Sequence, residues 1–452
     1  MSEHIRIKQG LDIPLTGEAQ LYVAKRMTTG TIALRTADFR RLRAIPLVSE
    51  GDRVLAGQPV FCDEGRREIV LCSPVCGRVD SVLRDGGGRL SEVRIEAEGS
   101  SDRVHFDVPK ISSMQKADII GLMLKAGLWP CVRQRPFGII ADPDRTPDSV
   151  FISAFSSAPL APDFDYALAS DLDNIQAGID ALGRLTKGGI HLCLPVKNFA
   201  GTEFHKLRGI VKHSVYGPHP AGNVGVQINR ISPISKGEVI WTLDLFQVAA
   251  IGRFFLHGYY DMHKLVAVVG PAALNPAYIE CVPGAAMADM ADHFDHWQGN
   301  LRIISGDVLT GSNEGKEGFL GFYDDMVTVI CEGEGRETMG WLNPLRFNRF
   351  SASRLYLTRL LTSHKFNMDT KVNGSVRSFI FPEIYSKVFP MDIYPVELCK
   401  AILAGDIEKM ENLGIYEVVE EDVALCEYVC PSKIEIQSII SRGIDMMLDY
   451  LQ

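Results

Sequence analysis

Over the first 110 positions apolar and polar residues alternate in short runs, and Gly-rich turns such as Asp85-Gly86-Gly87-Gly88 divide them. Alternation between such turns predicts an all-β segment. From residue 111 the pattern changes. DIIGLMLKAGL, 118–128, sets Ile119, Leu122, Met123 and Ala126 at helical spacing, and SVFISAFS, 149–156, reads as a buried strand. DLDNIQAGIDALGRLTKGG, 171–189, reads as a helix ended by Gly188 and Gly189, with IHLCLPV as the next strand. This order over 111–256 predicts an α/β domain with a largely parallel sheet. Over 257–333, KLVAVVG, AYIECV and LRIISGDVL read as strands and MADMADHFDHW as a helix, a small β-grasp unit. Residues 334–452 turn helical after GWLNPLRFNRFSASR. Ser432-x-x-Glu435 predicts a capping box for the last helix, with Ile436, Ile440, Ile444, Met447 and Leu451 on one face.

Composition narrows the function. The chain has 452 residues, 46% of them hydrophobic and 23% charged, enough for several folded domains. A net charge of −9 argues against a nucleic-acid partner. The basic cluster Arg35, Arg40, Arg41 and Arg43 reads as a solvated face or as a docking surface for an acidic partner or headgroup region. The longest apolar runs, such as LVAVVGPAAL at 265–274, fall short of a membrane span. With no signal-like start, the chain is expected to be soluble or peripheral, its ten cysteines reduced.

VSEGDRVLAGQPVFCDEGRREIVLCSPVCGRV, 48–79, resembles the barrel-sandwich domain of biotinyl and lipoyl carriers, with Gly51, Gly57, Pro74 and Gly77 at its turns. A carrier needs a lysine at the hairpin tip. The tip here reads EGRRE, and no lysine lies between Lys25 and Lys110. Guanidinium stays protonated and cannot replace it.

The candidate sites are few. Cys426-x3-Cys430-Pro431 matches the end of a ferredoxin-type cluster motif, but Glu420 and Val423 stand where two further ligands would be. Two buried cysteines at a helix entry, or a degenerate site, fit better. Cys62, Cys72 and Cys76 read as packing residues rather than a zinc half-site, and His293 and His296 in DHFDHW as a solvated helix end. GPHPAGNVG, 217–225, reads as a fixed loop that could line a site through His219. AGLWPCVRQRPFG, 126–138, follows the first helix of the α/β domain. It is too bulky to cradle a phosphate but suits a flat ring with carbonyls, Trp129 and Phe137 stacking and Arg133 or Arg135 donating. The alternative is a structural connector.

IKQGLDIPLTG, GDRVLAGQPVF, QRPFGIIADPD, SAPLAPDFD, GPHPAGNVGVQI, ISGDVLTG and ALCEYVCP together resemble the A subunits of Na+-translocating NADH:quinone reductases, nearly end to end. Those in turn look related to the cluster-bearing member of the Rnf complex and to the flavin-carrying member of complex I. The implied fold class is multidomain α/β and β. It comprises a barrel-sandwich hybrid (1–110), a Rossmann-like α/β domain (111–256), an SLBB-like β-grasp domain (257–333) and a mainly helical C-terminal domain (334–452) with the degenerate motif. The resemblance implies a peripheral component on the cytoplasmic face of the bacterial inner membrane. Its complex oxidises NADH, reduces quinone and pumps Na+ outward. Flavins and the iron–sulfur centre are expected in partner subunits, with no tightly bound redox cofactor in this chain. The chain is expected either to contribute to the quinone site, through Trp129, Arg133, Arg135, Phe137 and His219, or to serve purely as a structural docking element. LNPLRFNRFSASR, with Arg346, Arg349 and Arg354, is a second candidate docking surface.

Overall fold

The computed structural model describes residues 3–26, 30–196, 201–294, 299–333, 349–352, 364–372, 376–378 and 382–451. Two small sheets form the sandwich. One has the strand order Thr31–Arg35, Leu90–Ala97, Gly77–Arg84, Arg53–Val54, and the other Ala44–Pro46, Pro59–Asp63, Val70–Cys72. The Asp85 carboxylate accepts from the N–H groups of Gly87 (2.8 Å) and Arg89 (2.9 Å), which fixes the hairpin read from the glycine run. At the carrier-like tip, Arg66 pairs with Asp142 at 2.8 Å and Asp144 at 2.7 Å. The hairpin that would swing in a carrier is tied to the α/β module.

The all-β reading of residues 1–110 needs correction at its start. His4–Arg6 pairs in parallel with Val211–Tyr216 at the edge of the α/β sheet. Gln20–Arg26 pairs with Ala277–Cys281 in the sheet of the third module. Strand propensity was right, but the pairing is long-range and leaves no local trace.

The seven-stranded α/β sheet runs His4–Arg6, Val211–Tyr216, Ile190–Pro195, Ser149–Ser153, Ile240–Asp244, Arg133–Arg135, Ile139–Ile140. Its first five strands are mutually parallel and the last two antiparallel. From Ser149–Ser153 the chain steps twice to one side, then crosses to place Ile240–Asp244 on the other. The strand order therefore reverses between those two strands. The helix predicted over 171–189 is shorter, Leu172–Leu182, and Gly183 caps it. Gly188 belongs to the turn into the next strand, where a Cβ would lie 1.6 Å from the Asp148 carbonyl oxygen.

The third sheet runs Ser312–Asn313, Leu301–Ser305, Met326–Cys331, Lys264–Val269, Ala277–Cys281, Gln20–Arg26. Residues 287–293 form a 3-10 segment rather than an α-helix. The helices Pro395–Ala404, Ile407–Asn412, Glu420–Val429 and Ile436–Leu451 pack around a separate apolar core. The last starts at Ile436, so the predicted capping box does not form. Ser432 Oγ donates to the Ser378 carbonyl at 2.8 Å, and the Glu427 carboxylate takes the first-turn N–H of Gln437 at 2.9 Å. Ile436, Ile440, Ile444 and Met447 are buried as read, with Gly443 among them, whereas Leu451 is exposed. Among the described residues no helix is long and apolar enough to cross a membrane.

Candidate functional site

In an open α/β sheet, ligands bind beyond the carboxyl ends of the strands where the order reverses. A cavity of about 150 Å3 lies there. Ser153 and Asp244 line it from the ends of the two diverging strands, and His219 from the loop after Val211–Tyr216. Arg133 and Thr310 line it too, and also border a charged outer cleft of about 860 Å3, walled by Asp38, Arg40, Arg41, Glu420, Asp445 and Asp449. All four modules meet at this cleft.

His219 is built into its wall. The side chain is buried, and its backbone N–H donates to the Asp12 carboxylate at 2.9 Å. Ser157 Oγ accepts from the Gly222 N–H at 2.8 Å and lies 3.0 Å from His219 Nδ1, tying the ring to the loop. Nε2 is buried and has no partner among the described residues. Burial lowers the His219 pKa, opposed by Asp307, Asp12 and Glu421, so the ring stays neutral. The cavity wall therefore carries a buried imidazole whose Nε2 is unused by the described residues. Arg133 stands over the Tyr323 ring at 4.6 Å, its Nε also without a partner among the described residues.

The other three candidates of the 126–138 segment face elsewhere. Trp129 is 0% exposed, donates Nε1–H to the Ala141 carbonyl at 2.7 Å and packs edge-on against Trp241. It cannot stack on a ligand without leaving the core. Phe137 is buried against Tyr416, ring centroids 5.8 Å apart. Arg135 donates to Asp422 at 2.7 Å and to Glu421 at 2.6 Å. Of the five candidates, only Arg133 and His219 line the cavity.

Asp422 occupies a chemically specific place. The helix Val224–Ile231 begins at the cavity, and a Cβ on Gly225 would lie 2.5 Å from Asp422 Oδ1. Asn223 Nδ2 donates to the Glu421 carbonyl at 3.1 Å. A helix N-terminus favours negative charge, and at a switch point it is where a cofactor phosphate would rest. Here the chain's own carboxylate, neutralised by Arg135, sits against it.

Cys426 and Cys430 are fully buried in the C-terminal core, and Tyr385 Oη lies 3.0 Å from Cys430 Sγ. Val423 is also buried, and Glu420 turns away to pair with Arg40. Cys62, Cys72 and Cys76 are buried as well, and His293 Nδ1 lies 3.2 Å from the Leu274 carbonyl. Thus His293 is a packed residue rather than a solvated one, and His296 falls outside the described residues. No group of three or more His, Cys, Asp or Glu able to hold a metal occurs among the described residues.

The basic cluster is largely spent within the chain. Arg35 pairs with Asp38 and Glu314, Arg40 with Glu420 and Asp445, and Arg41 with Asp445 and Asp449. These bonds join the sandwich to the third module and the C-terminal helices; Arg43 is exposed. Of the second surface, Arg346 and Arg354 lie outside the described residues.

Sequence reasoning missed Ser157, Asp244, Asp325 and Asp422. Asp244 carried a signal, since Asp244-x-x-Gln247 before an apolar run is a capping box, and it does cap Leu245–His257. Asp325 and Asp422 carried none, because their roles come from contacts between modules.

Three family models match the chain. These are an NqrA N-terminal barrel-sandwich hybrid domain at 5–98, an NqrA second alpha/beta domain at 114–260 and an NQRA C-terminal domain at 265–314. The A subunit of the Na(+)-translocating NADH-quinone reductase from Rhodopirellula baltica is 34% identical, covering 97% of both chains. Its namesakes from Vibrio atlanticus (98% of both chains) and Alcanivorax borkumensis (97% of this chain, 98% of the relative) are each 32% identical. Among solved structures, an air-oxidized NAD+-reducing [NiFe]-hydrogenase matches at 14% identity and TM-score 0.37, over 76% of this chain and 63% of its own, a likeness too loose to carry an argument. Identity at this level, sustained along nearly the whole chain, makes it a member of the family of A subunits of the Na+-translocating NADH-quinone reductases.

Proposed function

We propose that, within a complex that passes electrons from NADH to quinone and pumps Na+, this chain is the peripheral component on the cytoplasmic side and contributes a contact for the quinone ring. The observation that carries the reading is His219 in the wall of the switch-point cavity, its buried Nε2 without a partner among the described residues. A buried polar nitrogen left unpaired is costly, and with its proton on Nε2 the ring would donate to a quinone carbonyl. Arg133 would donate to the second carbonyl, with Phe155 and Phe164 as apolar wall. The cavity, about 150 Å3, suits a ring and little more. The charged outer cleft is hostile to a prenyl tail, so ring affinity should not depend on tail length.

A tightly bound phosphate-bearing redox cofactor does not fit the same place. The Asp422 carboxylate lies against Gly225 at the helix N-terminus where that phosphate would rest, and a second negative group would meet it in a buried site. Nor do Cys426 and Cys430 with Val423 make a ligand set for a cluster. The electrons then arrive from redox groups in partner subunits.

Calorimetric titration with a short-chain quinone, on the chain and on the whole complex, tests the contact. Saturable binding is expected, with affinity lowered about tenfold by His219→Leu, the value of one hydrogen bond. Equal affinity in the variant, or no saturable binding to chain or complex, would end the reading.

A docking role without quinone contact has an observation of its own. Gln20–Arg26 is an edge strand exposed at every residue, with Leu21 58%, Tyr22 42% and Val23 40% exposed. Such an edge is a template for a strand from another member of the complex. Pro at position 23 should then release the chain from the complex while its own sheets stay folded. Normal co-purification of Val23→Pro would remove this surface from consideration.

A further inference from the structure

We propose that Asp325, set beside Asp244 in the wall of the inner cavity, is the carboxyl that delivers protons to the reduced quinone; this rests on the ring contact proposed above. Four carboxylates line that cavity, and three are committed. Asp307 holds its own turn, accepting from the Leu309 N–H (2.6 Å) and Thr310 Oγ1 (2.6 Å). Glu421 is bound to Arg135, and Asp244 accepts the Gln247 N–H at 2.8 Å as a helix cap. Asp325 is held through its backbone, whose carbonyl accepts from the Ala267 N–H at 3.1 Å, and its carboxyl takes a hydrogen bond from its own N–H rather than capping a helix or pairing with an arginine.

The surrounding charges suit a proton carrier. Asp325 is faced by Asp244 from the next module, Lys264 from the neighbouring strand and Asp324 from its own segment, with Tyr278 close by. Arg133 and Lys264 face Asp244, and His219 lines the same cavity. Burial, with Asp244 and Asp324 adding and Lys264 opposing, raises Asp325 to about 7. The carboxyl therefore both holds and gives up a proton near neutrality. Neutral His219 orients a carbonyl but is a poor acid.

Two electrons from NADH, passed on by partner subunits, and two protons convert the two ring carbonyls to two hydroxyls. Each proton leaves the Asp325 carboxyl as a carboxylate, which would be reloaded from water of the outer cleft on the side where Arg133 and Thr310 line both spaces.

The test uses the assembled complex carrying Asp325→Asn, which keeps side-chain volume. Short-chain quinone should bind within about twofold of wild type, while turnover falls at least about tenfold and loses its dependence on pH around neutrality. Asp325→Glu should restore much of both. Should the Asn variant fail to assemble, infrared titration of the wild-type complex with and without bound quinone decides the matter. A protonated-carboxyl band titrating near neutrality, and shifted by quinone, is expected. Unchanged turnover and pH profile in an Asn variant that binds quinone, or no such band, overturns the inference and leaves the ring contact standing. Absence of quinone binding to the wild type, by contrast, removes the contact itself.

Discussion

Arg135→Ala is expected to cost about 3–5 kcal/mol, because it strips the partner from a buried carboxylate. The Arg135 and Asp422 side chains are 4% and 0% exposed, and Glu421, the second partner, is 33% exposed. Water can reach Glu421 when the guanidinium goes, but it cannot reach Asp422. One oxygen of Asp422 already lacks a partner among the described residues, and the other would keep only the Val419 N–H at 3.0 Å. Because the chain has several modules, the effect is best read by hydrogen exchange across the Glu420–Val429 helix rather than from one global midpoint. The pH dependence identifies the cause. Burial raises the Asp422 carboxyl and Arg135 opposes it. Without Arg135 the folded carboxyl stays above its unfolded value, so the folded state binds the extra proton. The deficit should therefore be largest at neutral pH and shrink as pH falls toward the ordinary carboxylate range. A loss under about 1 kcal/mol, or a deficit independent of pH, would show that the pair is not what docks the C-terminal helices.

This pair also marks where reading from the sequence stops. The strands at Ser149–Ser153 and Ile190–Pro195 were legible because a buried parallel strand needs an unbroken apolar run. His219 was legible as a loop residue held between prolines and glycines. The roles of Trp129, Arg135 and Phe137 were not. A tryptophan and an arginine in a bulky loop look alike whether they face a ligand or a core, and only the approach of Trp241 and Asp422 from distant segments decides. The same holds for the Arg35–Arg41 cluster, whose acidic partners lie as far away as Asp449. The edge strands His4–Arg6 and Gln20–Arg26 were misplaced for a related reason. Alternation declares a strand but says nothing of which sheet receives it.

The second large effect is expected at Gly252, and it tests how closely the α/β layer is packed over the sheet that carries the site. The helices Leu172–Leu182 and Leu245–His257 cross with their backbones in contact. A Cβ on Gly252 would lie 1.7 Å from the Asn174 carbonyl oxygen, and one on Gly178 would lie 2.2 Å from that of Val248. Both obstacles are helix backbone, which cannot rotate aside as a long side chain would. Ten residues of the second helix are buried, so separating the helices strips apolar contacts along its length. Gly252→Ala should therefore destabilise the α/β module by about 3 kcal/mol, the upper end for overpacking, even though alanine is the better helix former. Gly121 supplies the contrast. It sits inside the helix Lys116–Lys125 with nothing within 4 Å of an added Cβ, so Gly121→Ala should stabilise by about 0.5–1 kcal/mol. Denaturant melts of the two variants, read by far-ultraviolet circular dichroism, should move in opposite directions. Parallel shifts would mean that helix propensity, not backbone approach, governs both sites, and the close crossing would have to be abandoned. If the crossing does yield, the Asp244 cap at the head of the second helix moves with it, and the cavity wall loses its fixed carboxylate.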